Sequence, residues 1–436
     1  MVKLFRLVVT LFLGFGLVGA GAAKPTTRLQ AKRKLATSVR STRSAGRGRR
    51  GGAKSVGGRR GARAVAAGGR VHRVRVRGRN GRWVYVTRRT RWVEHFTASS
   101  FADNLTLGDI TAGEDPVVRA AAIEALGNMN GTALAIDPSS GRILAMVNQK
   151  LALSSGAEPC STIKLTVALA ALEEGLVKHD TPVSLGGGYK VDLDYALAKS
   201  VNPYFEVLGR TMGFERVKHY ANEFGLGELA GYGIAGEQLG VYPDVELPAK
   251  QGGVGRMCSF GESISMTPLQ LGAIVSSIAN GGTLYYLQHP ETPEQAKSFT
   301  PKVKRILDIA PVLPEMMPGM EGAVAAPYGT ARSLKANFNA FPVMGKTGTC
   351  SNNGTRFGWF ASFADTPTGR IVTVIFLEGG RPTFGPKAAE LTGQFYRAMY
   401  ERSYFQPRGV PLRPLAPPQP VPTEAGDEDL GSGGGL

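Results

Sequence analysis

Residues 158–172 read EPCSTIKLTVALAAL. The hydroxyl of Ser161 and the amine of Lys164 lie three residues apart, at the start of a segment that is otherwise almost wholly apolar. Such a segment predicts a helix without a polar face, which is normally buried inside a domain. Residues at i and i+3 project from the same helix face, so Ser161 and Lys164 are predicted to be neighbours. A serine beside a buried lysine is a candidate nucleophile with its base.

The same pair also has a simple structural interpretation. Ser161 can cap the helix, and Lys164 can extend its ammonium group to solvent. Ser-x-x-Lys is also frequent by chance. This stretch alone therefore leaves both interpretations open, and other motifs have to decide between them.

Charge is distributed very unevenly along the 436 residues. Residues 1–93 contain 25 Lys and Arg and no acid, whereas the remainder contains 27 basic and 34 acidic side chains. A strongly basic arm therefore precedes a slightly acidic body that is long enough to bury a large core. The cysteines, Cys160, Cys258 and Cys350, are too few for a disulfide framework and lack metal-ligand spacing.

Residues 1–23 have the layout of an export signal, with cleavage favoured over an uncleaved membrane anchor. Lys3 and Arg6 precede an apolar run over residues 7–18, and small residues follow at 20–22. The run is short for a membrane span, which takes roughly 20 residues. Basic residues after the run oppose export under the positive-inside rule. We expect an exported protein, in the periplasm or on the outer face of the cytoplasmic membrane.

The basic arm divides into two parts. Residues 24–70 are rich in Arg, Gly, Ala and Ser, which predicts a disordered segment. Residues 71–109 are predicted to be a basic hairpin and linker, because valine and aromatic residues flank Asn80-Gly81. Such a segment can bind nucleic acid, acidic lipid head groups or wall polymers. A solvated polycationic linker explains it equally well.

The body is predicted to be one α+β domain over residues 110–402. The predicted strands cover 132–136, 143–147, 341–349, 357–363 and 371–376, and the main predicted helices cover 115–126, 161–175, 195–224, 267–280 and 386–400. Strands at both ends with helices between them indicate an antiparallel sheet covered by helices. Residues 403–436 are rich in Pro and Gly and acidic, and are predicted to form a disordered tail.

Two further motifs follow the Ser161 segment. Ser200-Val201-Asn202 interrupts the second helical region, and Lys346-Thr347-Gly348 ends a predicted strand. Each has a simple explanation on its own. Asn202 before Pro203 is a good helix cap, and Lys-Thr-Gly suits a strand that runs into a turn. Together with Ser161, however, they fit one mechanism and occur in one order.

In this order the motifs resemble those of the penicillin-binding transpeptidase domains, which share their fold with the serine β-lactamases. The resemblance extends over about residues 131–400, and its further matches lie at 133–138, 141–146, 202–205, 265–270, 278–282 and 329–331. It implies a peptidoglycan D,D-transpeptidase that forms a serine acyl-enzyme on D-Ala-D-Ala stem peptides and is acylated by β-lactams. It implies neither a cofactor nor a metal.

The resemblance also assigns roles to the motif residues. Ser161 would be the nucleophile, Lys164 its base, and Ser200 the relay of the proton to the leaving amine. The substrate-binding residues would be Asn202, Lys346, Thr347, Gly348 and Thr349. The oxyanion would be bound by the backbone N–H groups of Ser161 and Thr349. Burial and the second cation, Lys346, both disfavour the charged form of Lys164.

One departure from the family pattern concerns the cysteines. The family often has Pro-Gly before the serine, where this chain has Pro159-Cys160, and Cys350 follows the Lys-Thr-Gly-Thr strand. In the fold that the resemblance implies, Cys160 and Cys350 lie on adjacent elements. They either pair in an oxidising compartment or remain two small buried thiols. Cys258 is expected to be buried.

Several alternatives to the transpeptidase remain open. A D,D-carboxypeptidase or a serine β-lactamase differs only in letting water attack the acyl-enzyme. Asn202 argues against a class D β-lactamase, which usually carries an apolar residue there. The alternative from a different functional class is a binding protein, either a β-lactam sensor or a polyanion-binding protein with an inactive body. The intact Ser161, Lys164 and Lys346 argue against an inactive body. The expected partners are stem peptides, β-lactams, cell-wall synthesis proteins, and anionic lipid or wall polymer at residues 24–93.

Overall fold

The computed structural model describes residues 70–77, 82–90, 95–406 and 414–419. The predicted signal or anchor (1–23), the predicted disordered arm except Arg70, and the end of the predicted tail lie outside the described residues. Among the described residues, no helix is both long enough and apolar enough to cross a membrane.

In the described part of the chain, the strands form a five-stranded sheet and three two-stranded ribbons. The strands are β1 (Arg70–Arg77), β2 (Trp83–Thr90), β3 (Gly131–Asp137), β4 (Arg142–Val147), β5 (Val183–Ser184), β6 (Lys190–Val191), β7 (Thr283–Tyr285), β8 (Val303–Ile306), β9 (Val343–Asn352), β10 (Thr355–Thr366) and β11 (Gly369–Gly379). The large sheet is antiparallel throughout, in the order β4-β3-β11-β10-β9.

Most of the helices lie between β4 and β9. The α-helices are α1 (Pro116–Leu126), α2 (Gln149–Ala152), α3 (Lys164–Glu173), α4 (Leu193–Lys199), α5 (Asn202–Met212), α6 (Phe214–Glu223), α7 (Gly253–Phe260), α8 (Pro268–Asn280), α9 (Pro293–Lys297), α10 (Leu313–Ala325), α11 (Arg332–Asn337) and α12 (Gly385–Glu401). Short 3-10 helices cover Cys160–Ile163 and Ala249–Gln251.

The large sheet is assembled from both ends of the domain. The early hairpin of β3 and β4 joins the late strands through β3 and β11, where Leu134 lies opposite Val374. β9 lies at one edge of the sheet. The prediction of an α+β domain with an antiparallel sheet covered by helices is confirmed.

Helices cover both faces of this sheet. Successive strand residues point to opposite faces. On β11, Val372 and Val374 join the core that contains α3 and α8, whereas Ile371 and Ile375 join the core that contains α1 and α12. Every residue from Lys164 to Leu172 is buried. The central position of α3 therefore explains why its sequence has no polar face.

The packed domain begins before the predicted boundary at residue 110. The Asn130 N–H donates to the Ser100 carbonyl at 2.8 Å, and the Gly380 N–H donates to the Ser100 hydroxyl at 2.7 Å. The Asp109 carboxylate accepts from the Gln149 N–H at 2.8 Å. Residues 95–109, which the sequence places in the linker, are therefore part of the domain, because the domain satisfies their polar groups.

A buried ion network fixes this N-terminal segment. Arg119 lies between the carboxylates of Asp109, at 2.7 Å, and Glu114, at 2.8 Å. The second Glu114 oxygen lies 2.9 Å from His289 Nε2 and accepts from the Met146 N–H at 3.0 Å. Both carboxylate side chains are almost fully buried. Such groups need this full set of partners to offset the hydration that they lose.

Replacing Glu114 by glutamine is expected to lower the free energy of unfolding by about 3 kcal/mol, because it leaves part of a buried ion network uncompensated. The loss stays at the lower end of the range for buried pairs, since Asp109 still contacts Arg119. Urea denaturation measures this change. The matched control is Glu124→Gln, which removes an exposed pair with Arg402 and should cost less than about 1 kcal/mol. Equal losses in the two variants would contradict a stabilising role for the buried network.

The packed domain also extends beyond its predicted C-terminal boundary at residue 402, into the segment that was predicted to be a disordered tail. Phe405 is 1% exposed, and its ring centroid lies 5.1 Å from that of Phe341. Leu415 packs against the same core, and the Gln419 N–H donates to the Ala336 carbonyl at 3.0 Å. Residues 403–406 and 414–419 therefore pack on the domain. A few apolar side chains suffice for this contact, although the average composition of the tail is polar.

The basic hairpin has the predicted pairing. β1 and β2 are antiparallel, with Val76 opposite Val84, and the Asn80-Gly81 turn lies outside the described residues. The Arg77 guanidinium lies 5.9 Å from the centroid of the Trp83 ring, and more than half of the Trp83 surface is exposed. Arg77 and Trp83 are thus both exposed on this hairpin.

Candidate active site

Ser161 lies in the 3-10 turn Cys160–Ile163, which leads directly into α3. No side chain caps either helix, and the Lys164 amine is hydrogen-bonded to the Ser161 hydroxyl, with Nζ and Oγ 2.9 Å apart. Lys164 is 0% exposed, so its amine does not reach solvent. The interpretation of Ser161 as a cap and of Lys164 as a solvated cation is therefore wrong.

Four oxygens surround the Lys164 amine. Besides the Ser161 hydroxyl, Nζ lies 2.9 Å from the Ser200 carbonyl, 3.0 Å from the Ser200 hydroxyl and 2.5 Å from Asn202 Oδ1. The two carbonyl oxygens can only accept, so each needs an N–H of Lys164. A neutral amine has two N–H groups and one lone pair, and the lone pair is then left for the proton of a hydroxyl. The surroundings of Lys164 suit a base that acts on Ser161.

Ser200 occupies a left-handed turn between two helices. α4 ends at Lys199, Ser200 has a φ of +62°, and α5 begins at Asn202. The N-cap of α5 is Val201, so Asn202 does not cap the helix and its amide contacts Lys164 instead. The capping explanation of Asn202 is wrong. Positive φ in a non-glycine residue is uncommon, and such residues concentrate at functional sites.

β9 brings a second lysine to the same hydroxyl. Lys346 Nζ donates to Ser200 Oγ at 2.9 Å and to the Thr347 carbonyl at 3.1 Å. Like Lys164, Lys346 is 0% exposed. The Ser200 hydroxyl therefore lies between two buried amines, and a proton can pass through it from one side of the site to the other.

Gly348 allows β9 to approach the turn that carries Ser161. A Cβ atom at this position would lie 2.9 Å from the Pro159 carbonyl oxygen and 3.1 Å from Thr162 Cγ2. Both separations are too short for a side chain without movement of the turn. A residue without Cβ is therefore required here.

The hydroxyls of Thr347 and Thr349 have partners outside the Ser161 cluster. The Thr347 hydroxyl donates to Thr330 Oγ1 at 2.6 Å, and the Gly385 N–H donates to Thr349 Oγ1 at 2.8 Å. Sequence reasoning gave Thr330 no role. Its one signal was the Gly-Thr-Ala match at residues 329–331, which does not indicate a contact with β9.

Cys160 and Cys350 form a disulfide, with their Cα atoms 5.5 Å apart, which is one of the two arrangements that the sequence left open. Cys160 has a φ of +51°, a conformation that costs a non-glycine residue roughly 1 kcal/mol. The glycine that the family often has at this position adopts it freely. Cys258 is buried, as expected, and burial raises the pKa of its thiol.

The structure thus joins a subset of the predicted site residues by hydrogen bonds. These residues are Ser161, Lys164, Ser200, Asn202 and Lys346. Gly348 packs against the Ser161 turn, whereas the side chains of Thr347 and Thr349 make their hydrogen bonds outside the cluster. Within the described ranges, no group of three or more His, Cys, Asp or Glu side chains is placed to hold a metal ion.

Glu158 is a further titratable group at the site that the sequence did not single out. Burial, with a contribution from Glu262, raises the pKa of its carboxyl to about 7, although Arg256 opposes the shift. Folding therefore favours the protonated carboxyl. Below pH 4.5 the Glu158 carboxyl is protonated in both the folded and the unfolded chain, so it does not lower the free energy of unfolding. Between pH 4.5 and 7 the carboxyl ionises in the unfolded chain but stays protonated in the folded chain, so the free energy of unfolding falls, and the loss is complete once the pH has passed about 7.

Replacing Glu158 by glutamine is accordingly expected to raise the free energy of unfolding at pH 8 by about 2–3 kcal/mol, and hardly at all at pH 4. Urea denaturation at the two pH values measures the difference. The control is Glu294→Gln, a change at an exposed helix position. It should change the free energy of unfolding by the same small amount at pH 4 and at pH 8. A Glu158→Gln effect of equal size at pH 4 and pH 8 would show that ionisation of this carboxyl is not the cause.

The family model of the penicillin-binding protein transpeptidase domain matches residues 131–398, which is more than half of the chain. These bounds run from the first residue of β3 into α12. The match therefore includes the whole five-stranded sheet and every residue of the hydrogen-bonded cluster around Ser161.

Curated relatives agree with this assignment. The chain is 28% identical over 329 residues to stage V sporulation protein D of Bacillus subtilis, covering 63% of this chain and 50% of that protein. It is 25% identical over 293 residues to the peptidoglycan D,D-transpeptidase FtsI of Escherichia coli, covering 60% of this chain and 46% of that protein. The chain spans about half the length of the curated relatives it matches.

The fold is also found among solved structures. The transpeptidase domain of penicillin-binding protein 3 from Burkholderia pseudomallei superposes with a TM-score of 0.56 at 22% identity, over 69% of this chain and 98% of that chain. At this identity the similarity shows the fold alone. The family resemblance predicted from the motifs is confirmed by the family model, and the chain belongs to the penicillin-binding protein transpeptidase domain family.

Proposed function

We propose that the protein is a peptidoglycan D,D-transpeptidase that works through an acyl-enzyme on Ser161. One observation carries the proposal. Lys164 is fully buried, lies 2.9 Å from the Ser161 hydroxyl and is in contact with two carbonyl oxygens that engage its N–H groups. An amine held in this way can accept the Ser161 proton as the hydroxyl attacks a carbonyl carbon.

In the first half-reaction Ser161 Oγ attacks the carbonyl of the penultimate D-Ala of a stem peptide. Its proton passes to Lys164, and the terminal D-Ala leaves as an amine. Ser200, 3.0 Å from Lys164, relays the proton to that amine. In the second half-reaction an amine of a neighbouring strand attacks the ester and the proton transfers run in reverse. Water attacking in its place would give a carboxypeptidase.

The remaining motif residues bind the substrate in this proposal. Asn202 Oδ1 is engaged by Lys164, so its NH2 group is the part that would donate to the acyl-chain amide. Lys346, Thr347 and Thr349 would bind the terminal carboxylate. A carboxylate only accepts hydrogen bonds, so Thr347 would turn its proton to the ligand while Thr330 donates to Thr347 instead. The backbone N–H groups of Ser161 and Thr349 would stabilise the oxyanion.

The test is the fate of the acyl group. The purified protein is incubated with a synthetic stem pentapeptide ending in D-Ala-D-Ala, with and without an amine acceptor, and D-Ala release and cross-linked product are measured by mass spectrometry. A cross-linked product that increases with the acceptor is expected. Acceptor-independent hydrolysis alone would identify a carboxypeptidase. Repeated turnover of nitrocefin would identify a serine β-lactamase, and stable acylation without peptide turnover a β-lactam sensor.

We also propose that the protein acts outside the cytoplasm, where stem peptides and β-lactams are encountered. A relative whose name gives peptidoglycan as its substrate supports this location. The basic residues of segment 24–93 would then bind anionic lipid or a wall polymer, because that segment contains Lys and Arg but no acid. Cell-wall synthesis proteins are further expected partners.

Deletion of residues 24–93 is expected to abolish co-sedimentation with phosphatidylglycerol vesicles or with purified cell wall. Binding of the full chain should weaken steeply as salt is raised, because clustered charges act through a screened field. Phosphatidylcholine vesicles are the control ligand. Co-sedimentation that is unchanged by the deletion would contradict the role of the arm.

A further inference from the structure

The residue immediately before the nucleophile has an unusual backbone. Cys160 is 0% exposed and has a left-handed φ of +51°, although it carries a side chain. Most residues other than glycine avoid this region, and those that occupy it persist there only when the surrounding structure holds them. The direction of the chain at Cys160 determines where the N–H and the hydroxyl of Ser161 point.

Three contacts hold this turn against the sheet. The Cys160 sulfur is bonded to that of Cys350 in β9. The buried Trp359 ring donates from Nε1 to the Glu158 carbonyl at 3.0 Å. Gly348 permits the close approach of β9 to the turn. Of the three, only the disulfide acts on Cys160 itself, and it ends on the residue that follows Thr349.

We propose that the Cys160–Cys350 disulfide is a positioning device for catalysis. It holds Cys160 in its left-handed conformation and thereby fixes the Ser161 N–H relative to the Thr349 N–H, the two donors assigned to the oxyanion. This inference rests on the proposed function. Cys160 and Cys350 touch no reacting atom and act through their chain neighbours Ser161 and Thr349.

The chain offers a matched pair of variants that separate conformation from covalent linkage. Cys350→Ser removes the bond and leaves at position 160 a side chain that disfavours positive φ. Cys160→Gly removes the same bond, but glycine adopts positive φ without difficulty. If the disulfide acts by holding the conformation, Cys160→Gly must retain more activity than Cys350→Ser, although both lack the bond.

The experiment follows acylation by a fluorescent penicillin over a range of concentrations, which separates the non-covalent Kd from the acylation rate constant. Cys350→Ser is expected to lower the rate constant about 100-fold, the size of effect that a misplacement of about 1 Å can cause. Cys160→Gly should lower it less than about 10-fold. Kd should change little in either variant. A Cys350→Ser rate within threefold of wild type, or a Cys160→Gly rate no higher than that of Cys350→Ser, overturns the proposal.

A second experiment tests the proposal if the Cys350→Ser variant does not fold. Wild-type protein is reduced under native conditions with a phosphine, and the Cys160→Gly/Cys350→Ser double variant receives the same treatment. Reduction should slow acylation of the wild type and leave the double variant unchanged. Equal rates for the reduced and unreduced wild type overturn the proposal, provided that thiol titration shows three thiols in the reduced sample.

The outcomes also separate this inference from the function on which it rests. Wild-type protein that takes no label overturns the proposed function, and the positioning role with it. Labelled wild type with an equally reactive Cys350→Ser overturns the positioning role alone. Thiol titration of the denatured, unreduced chain should find one thiol, that of Cys258, and finding three would overturn the disulfide.

Discussion

Replacement of Ser161 by alanine is expected to abolish covalent labelling by a fluorescent penicillin, because the variant has no nucleophilic oxygen at the site. The loss should be complete on a denaturing gel, since binding without acylation does not survive denaturation. The hydroxyl takes part in one hydrogen bond with Lys164, so the fold should persist in a thermal melt. Stem-peptide turnover should be lost in parallel.

The matched control is Ser298→Ala, which removes an exposed hydroxyl bonded to the Glu294 carbonyl. This variant should label as wild type does. Covalent label that survives Ser161→Ala would show that another residue is the nucleophile. The proposed mechanism would then fail at its first step.

Replacement of Lys164 by methionine is expected to slow acylation by about 10²–10⁴-fold, the usual contribution of a positioned general base. Methionine nearly preserves the length and volume of the buried side chain but cannot accept a proton. The change leaves the carbonyl oxygens of Ser200 and Asn202 without their Lys164 donor, which should cost about 1–3 kcal/mol of stability. Stopped-flow labelling gives the rate, and a thermal melt shows whether the variant is folded.

Lys178→Met is the control for this change, because Lys178 is exposed and follows α3 in the chain. It should acylate at the wild-type rate. A folded Lys164→Met variant that acylates within tenfold of wild type would assign the base to another group. The other amine at the site, Lys346, would then be the first candidate, since it also contacts Ser200.

The fold was predictable largely because its signals are local or repeated. The apolar segment after Lys164 indicated a buried helix, and the strand patterns at both ends of the body indicated one sheet. The packing of residues 95–109 was not predictable in this way. It depends on Asp109 and Glu114 meeting Arg119 and the distant His289, and charged residues in a polar stretch are usually solvated. The packing of Phe405 and Leu415 was not predictable for a similar reason, because the average composition of the segment around them is polar.

The order of the motifs pointed to the residues of the candidate site, and the structure joins a subset of them by hydrogen bonds. The arrangement of the hydroxyls could not be predicted from the sequence. The Thr347–Thr330 contact joins two segments through a hydroxyl pair, and many serines and threonines are available for such pairs. The raised pKa of Glu158 depends on burial, which a single sequence does not reveal. The left-handed conformation of Cys160 had an indirect signal, the glycine that the family often has at that position.

The pairing of β3 with β11 joins segments about 240 residues apart in the chain. Contacts of such long range must overcome a large loop-closure entropy before they contribute, so folding is expected to be slow. The early hairpin of β3 and β4 has no partner sheet until the C-terminal strands are available, and a lone hairpin is at best marginally stable in water. The sheet can therefore close only after the C-terminal strands have been synthesised. Such a delay would suit the proposed location outside the cytoplasm, because export as an extended polypeptide requires a chain that has not yet folded.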